Sequence, residues 1–251
     1  MSSLRPRTSP HGQHYSLRCA RFRSDNAGLA PGAASSTRPF VLLGDSLVEA
    51  FDVGRFFPHD PFVNRGIISD RLDRGDGTGL VHRISPELLM AEPRRVLLLA
   101  GINDLADEPA EIDKHVATYE RLLAQLALRY PEVTITIHSL LPTREAYAHL
   151  NDGIVELNRR LQRLAAVRGA AFVDLHALLR KPAARGWVLR RRYSRDGLHV
   201  NGSAYRIWAA ALAPHLGLTS PPWAWWKAAA AARVAEASGI GKALLGTSRR
   251  R

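Results

Sequence analysis

Phe40-Val41-Leu42-Leu43-Gly44-Asp45-Ser46-Leu47-Val48-Glu49 is the stretch that decides the fold. Phe40 to Leu43 are consecutive strand formers with no polar alternation, bounded by Pro39 and Gly44, as expected of a strand buried on both faces of a parallel sheet. Leu47, Val48, Ala50 and Phe51 then follow at mixed spacing, which predicts a handover from strand to helix with Ser46 at the strand's carboxyl end. Ligands of open α/β sheets bind in that crevice, and helix amides near Ser46 favour negative charge there. By itself the tripeptide Gly44-Asp45-Ser46 reads rather as a turn with a helix N-cap, since all three residue types are common at such positions.

Further along the chain the same pattern recurs. Phe62-Val63-Asn64 predicts a second strand reaching Gly66, followed by a charged, glycine-rich loop from Asp70 to Gly79 and a helix around Leu80 to Ile84. Arg95 to Ala100 is the clearest buried strand and stops at Gly101-Ile102-Asn103-Asp104. Ile112, Val116, Tyr119, Leu122, Leu123 and Leu126 repeat at helical spacing, predicting an amphipathic helix from Glu111 to Arg129. Val133 to Ile137 reads as the fourth strand, Ile154 to Leu164 as another helix, and Ala171-Phe172-Val173 as the fifth strand. His138 and Ser139, at the fourth strand's exit, have no acidic neighbour in sequence and read as structural. Five strands alternating with helices predict a three-layer α/β/α sandwich with a five-stranded parallel sheet, flavodoxin-like. A long loop with Trp187, Arg190, Arg191 and Arg192 leads to Asp196-Gly197-Leu198-His199, where carboxylate and imidazole three apart before a helix can share a turn. In isolation that pair reads rather as a turn aspartate beside a solvated histidine.

The 251 residues suffice for one α/β domain with terminal excess. The net charge of +12 belongs mainly to the ends: residues 1–38 and 220–251 each hold six Lys/Arg against one acid. The body is close to neutral, so the folded part is not expected to bind nucleic acid. Cys19 is the single cysteine, which excludes an intramolecular disulfide framework or a multi-cysteine zinc site. No apolar run has the length of a membrane span or signal h-region, and a cytoplasmic location is expected. Residues 1–12 are expected to form a disordered basic arm, 13–216 the domain, and 217–251 a basic extension, read as docked by Trp223, Trp225 and Trp226 with a disordered end, a weak membrane-surface anchor being the alternative.

Ser46, Gly66, Asn103 and the Asp196/His199 pair fall in chain order at strand exits or in the closing loop, and at this point the sequence resembles the SGNH (GDSL) hydrolase superfamily. The blocks that carry the likeness are Gly44-Asp45-Ser46, Gly66, Gly101-x-Asn103-Asp104 and Asp196-x-x-His199, within residues 13–216. The resemblance implies Ser46 as nucleophile, His199 as general base and Asp196 as the group orienting the imidazole. It implies an oxyanion hole of the Ser46 N–H, the Gly66 N–H and the Asn103 side-chain amide, with no metal or cofactor in the chemistry. The absence of Gly-x-Ser-x-Gly around Ser46 argues against an α/β-hydrolase elbow. Val48-Glu49-Ala50 and Ile67-Ile68-Ser69 depart from the family's usual Thr-Glu-Gly and glycine-rich turn, and bulk at Ile68 bears on acyl size. The implied activity is hydrolysis of a small-molecule, short-chain ester, acetyl above all, through an acyl-enzyme. A lysophospholipase, thioesterase or acyltransferase on the same site, or a non-catalytic binding module, stand as alternatives. Composition leaves the oligomeric state open.

Overall fold

The computed structural model describes residues 10–28 and 38–218. The tryptophan-bearing tail from Pro221 and residues 1–9 of the basic arm lie outside the described residues. The elements in chain order are α1 (Pro10–Ala27), β1 (Phe40–Gly44), α2 (Ser46–Glu49), α3 (Val53–Phe56), β2 (Phe62–Gly66), β3 (Arg95–Leu99), α4 (Ile102–Asp107), α5 (Ile112–Arg129), β4 (Thr134–His138), α6 (Asn151–Val167), β5 (Ala171–Val173), α7 (Leu175–Leu179), β6 (Arg180–Pro182), β7 (Trp187–Leu189) and α8 (Gly202–Leu212).

Strands β1 to β5 form one parallel sheet in the order β2-β1-β3-β4-β5. Alternation along the strands sorts side chains between two layers. Val41, Leu43, Val96 and Leu98 pack with Tyr119, Leu122 and Leu126 of α5 and Ile154, Leu157 and Leu161 of α6. Phe40, Leu42, Leu97 and Leu99 pack with Phe51, Leu175, Tyr205 and Trp208 on the opposite face. Both faces are therefore dry, which is why these strands read as continuous apolar runs. The chain reverses direction across the sheet between β1 and β3, and in such sheets the reversal opens a crevice at the strands' carboxyl ends. Ser46 follows β1 and Asn103 follows β3.

Three expectations are revised. Residues 10–12 belong to α1 rather than to a disordered arm. Proline is tolerated in the first helical turn, and Tyr15, Cys19 and Phe22, at i, i+4 and i+7, bury one face of the helix. The helix expected at Leu80 to Ile84 is a single 3-10 turn, Leu80–His82, entered through Gly79 at φ 116°. The long loop before Asp196 contains an antiparallel hairpin, β6 and β7, in which the Arg180 guanidinium lies 3.9 Å from the Trp187 ring centroid. A pair of three-residue strands is too short for periodicity to reveal.

Candidate active site

Ser46 is the first residue of α2, and Asp45 caps that helix by accepting the Leu47 N–H at 2.9 Å. Its Oγ lies 3.1 Å from His199 Nε2, across 153 residues of chain. His199 Nδ1 lies 2.8 Å from Asp196 Oδ2. A carboxylate accepts, so Nδ1 carries the proton and the unprotonated Nε2 faces the serine. Burial alone would raise the Asp196 pKa, but the Leu198 and His199 N–H groups, the His199 ring and the Ser194 hydroxyl all donate to it and hold it well below the usual carboxylate range. Asp196 is thus an anion at any working pH.

The loop holding Asp196 and His199 is fixed from several sides. Ser194 Oγ also accepts the Gly197 N–H at 2.9 Å, and Ser194 bridges Val200. Arg144 N–H donates to the Gly197 carbonyl at 3.0 Å, and its guanidinium to the Ser194 carbonyl at 2.7 Å. Gly197 has φ 92°, and a Cβ there would stand 2.4 Å from the Arg144 carbonyl oxygen, so only glycine fits. Asn201 then caps α8 and donates to the Arg192 carbonyl at 2.7 Å. The Ser194 and Arg144 supports carry no motif and were not read from the sequence.

Asn103 Nδ2 donates to the Asp70 carbonyl at 2.8 Å, which leaves its second amide hydrogen for another acceptor. Asp104 is buried and takes the Leu72 N–H on both carboxylate oxygens at 3.1 Å. The aspartate beside Asn103 therefore ties the 70–72 segment to the start of α4.

Gly66 stands apart from its implied role. Its N–H donates to Asn64 Oδ1 at 2.8 Å and so is already engaged. What Gly66 supplies is the absence of a side chain: a Cβ would lie 2.1 Å from the Glu49 backbone nitrogen, so glycine lets β2 pass against α2. Among the amides that follow, Ile67 N–H donates to the Gly44 carbonyl, Ile68 N–H to Glu49 Oε2 and Asp70 N–H to the Ile67 carbonyl. Ser69 N–H is the amide of this loop left without a protein acceptor among the described residues. Ser69 also has φ 58°, unusual for a residue with a side chain. The sequence carried a signal for this position, since the glycine-rich turn usual in the family is replaced there by Ile68-Ser69.

His138 and Ser139 are buried and structural. His138 Nδ1 donates to the Leu98 carbonyl at 2.9 Å, and Ser139 Oγ joins Asp174 to the His176 N–H. Among the described residues no helix is long and apolar enough to cross a membrane.

The profile of the GDSL-like lipase/acylhydrolase family matches residues 33–207. Among solved structures, a GDSL-like lipase from Bacteroides thetaiotaomicron is similar at 22% identity and TM-score 0.67, covering 79% of this chain and 97% of the other. An acetyl xylan esterase from Geobacillus stearothermophilus is similar at 18% identity and TM-score 0.56, covering 73% of this chain and 96% of the other. At these identities the likeness speaks to the fold. No curated protein matches the sequence significantly.

Proposed function

We propose that this chain, which belongs to the GDSL-like lipase/acylhydrolase family, is a serine esterase that cleaves short-chain esters, acetyl esters above all, through an acyl-enzyme. The observation that carries the reading is the Ser46–His199–Asp196 relay, with contacts of 3.1 and 2.8 Å. In the first step Ser46 Oγ attacks the ester carbonyl carbon as His199 Nε2 takes its proton. The imidazolium that forms is held by the Asp196 anion. The tetrahedral oxyanion is received by three neutral donors, the Ser46 and Ser69 N–H groups and the free hydrogen of Asn103 Nδ2, with Ser69 taking the part first implied for Gly66. Fixed donors of this kind contribute about 3 kcal/mol each, because they need no reorganisation as charge develops. His199 then returns its proton to the leaving alkoxide, the ester C–O bond breaks, and water repeats the sequence to free Ser46.

Substrate size follows from the rim. The side chains of His199 and Asp196 are 51% and 50% exposed, Arg195 beside them in the chain is exposed and polar, and the bulky Ile68 stands half-exposed next to Ser69. Holding a long acyl chain depends on roughly 0.8 kcal/mol per buried methylene, and the half-exposed His199 and Asp196 side chains offer little burial of that kind. A small acyl group on a hydrophilic alcohol suits this rim better, and the fold likeness to an acetyl xylan esterase is in keeping with this.

Mass spectrometry after a fluorophosphonate probe tests the reading: the adduct is expected on Ser46 and lost in Ser46→Ala, and an adduct elsewhere refutes it. A p-nitrophenyl ester series should show kcat/KM highest for acetate. A maximum at eight carbons or more would point to a lipase-like acyl site instead.

A further inference from the structure

Helix α1 lies wholly before the residues matched by the family profile, yet it is bonded to the loop that leads into the crevice. Arg18 Nη2 donates to the Gly66 carbonyl at 3.1 Å, and His11 Nδ1 donates to the Ile68 carbonyl at 3.2 Å. His14 Nε2 stands 3.1 Å from both oxygens of Glu49, whose Oε2 accepts the Ile68 N–H at 2.5 Å. The helix is anchored there by packing: Tyr15, Cys19 and Phe22 form one buried cluster with Ile67 and Leu88. Phe22 also lies under the Arg18 and Arg65 guanidinium groups at 4.9 and 4.8 Å.

The geometry of one peptide unit gives these contacts a consequence. All the described peptide bonds are trans, and in a trans peptide the C=O and the following N–H point in opposite directions. A hydrogen bond that draws the Ile68 carbonyl toward α1 therefore turns the Ser69 N–H away from α1. Bonding the carbonyl also polarises that N–H and makes it a stronger donor. Ser69 needs such restraint, because φ 58° is not a conformation that a serine holds without support.

We propose that α1 is a positioning element of the active site, in which His11 orients the Ile68–Ser69 peptide so that its N–H meets the oxyanion, while His14, through Glu49, fixes the preceding Ile67–Ile68 peptide from which that unit hangs. The inference rests on the esterase reading and deepens it. Neither histidine touches substrate; His11 acts through the peptide it holds and His14 through the Glu49 carboxylate.

The test uses the full chain with His11→Ala, His14→Ala, the double alanine variant, and the rescue pair His11→Asn and His14→Gln, whose amides can donate from similar positions. Each is assayed on p-nitrophenyl acetate, for inhibition by a small alkylboronic acid that forms a tetrahedral adduct on the serine, and for melting temperature. The double alanine variant is expected to lose kcat at least tenfold with KM within about twofold, to bind the boronate at least tenfold more weakly, and to regain most of both in the rescue pair. Unchanged kcat and boronate affinity in the double variant would overturn the inference. So would losses that follow melting temperature alone and are not rescued. Wild-type turnover abolished in Ser46→Ala is the control that isolates the esterase reading, and a wild type without turnover or adduct overturns both.

Discussion

The Tyr205 hydroxyl donates to the Leu47 carbonyl at 2.9 Å, fastening the helix that follows His199 to the helix that begins with Ser46. Tyr205 is buried beside Phe51 and Trp208, so the bond is made in a dry layer. The two ends of the Ser46–His199 contact are thus braced by an interaction that neither residue makes. Tyr205→Phe keeps the ring and strands a buried carbonyl, at a cost of about 1–3 kcal/mol. A lowered urea midpoint with an unchanged m-value, and a kcat reduced a few fold, are expected; wild-type stability would show that the bond is idle.

Asp196→Asn separates orientation of the imidazole from support of the loop. An asparagine Oδ1 can still accept the Leu198 and His199 N–H groups now held at 2.9 and 2.8 Å, so the fold should persist. Its amide would donate to Nδ1 and place the ring proton on Nε2, where the proposed mechanism needs a base. Activity is expected to fall by about a thousandfold or more, toward the ~10⁴ seen for the same change in serine proteases. Steady-state kinetics beside circular dichroism would check this, and near-normal turnover would remove Asp196 from its role.

On the proposed mechanism, Asn103→Ala removes a donor that serves the transition state rather than the substrate. A loss of about 10²–10³ in kcat with little change in KM is expected. Because Asn103 Nδ2 also holds the Asp70 carbonyl at 2.8 Å, a modest fall in melting temperature should accompany it. A change confined to KM would place Asn103 in substrate binding instead.

Gly66 and Ser69 should respond in opposite directions to substitutions that swap the presence of a Cβ. Gly66→Ala puts a Cβ 2.1 Å from the Glu49 nitrogen, forcing β2 and α2 apart, so loss of soluble, folded protein is expected. Ser69→Gly relieves a residue at φ 58° and should raise stability by up to about 1 kcal/mol, the strain relief exceeding the entropy that glycine adds to the unfolded chain. Thermal melts of both variants decide the point. A tolerated Gly66→Ala would return attention to its amide.

Asp45 is the group from which a pH signature is expected. It is fully buried, its Oδ2 has no hydrogen-bond partner among the described residues, and burial, with Asp70 and Asp104 adding negative charge, pushes its pKa from 3.8 up to about 7. The folded state therefore keeps the proton longer than the unfolded chain does. Stability from this group falls as pH rises from about 4 to about 7 and is level above that. Asp45→Asn can retain the cap on Leu47 and has no charge to bury. Its stability should match wild type near pH 4 and exceed it at pH 8, read from urea melts at the two pH values. An equal difference at both would show that Asp45 does not titrate in this range.

Much of the architecture was legible in the sequence because it rests on local constraints. Runs such as Val96-Leu97-Leu98-Leu99 are apolar at every position only when both faces of a sheet are covered, and the 3.6-residue repeat of α5 and α6 marks the helices that cover one of them. The chemically apt residue types, Ser46, Asn103, Asp196 and His199, also stand out by type and spacing alone. The β6/β7 hairpin escaped notice since its short strands carry no period.

What remained was decided by partners distant in the chain. A glycine in sequence does not tell whether its amide or its missing Cβ is needed. Only the arrival of Glu49 beside Gly66, and of Asn64 Oδ1 on its N–H, shows that the missing Cβ is what counts. The contact of Ser46 with His199, the hold of α1 on the Ile68 carbonyl and the Ser69 amide left without an acceptor among the described residues belong to the same class. Periodicity reports which face of an element is apolar; which hydrogen-bonding groups are spent and which are left free is settled when the elements pack.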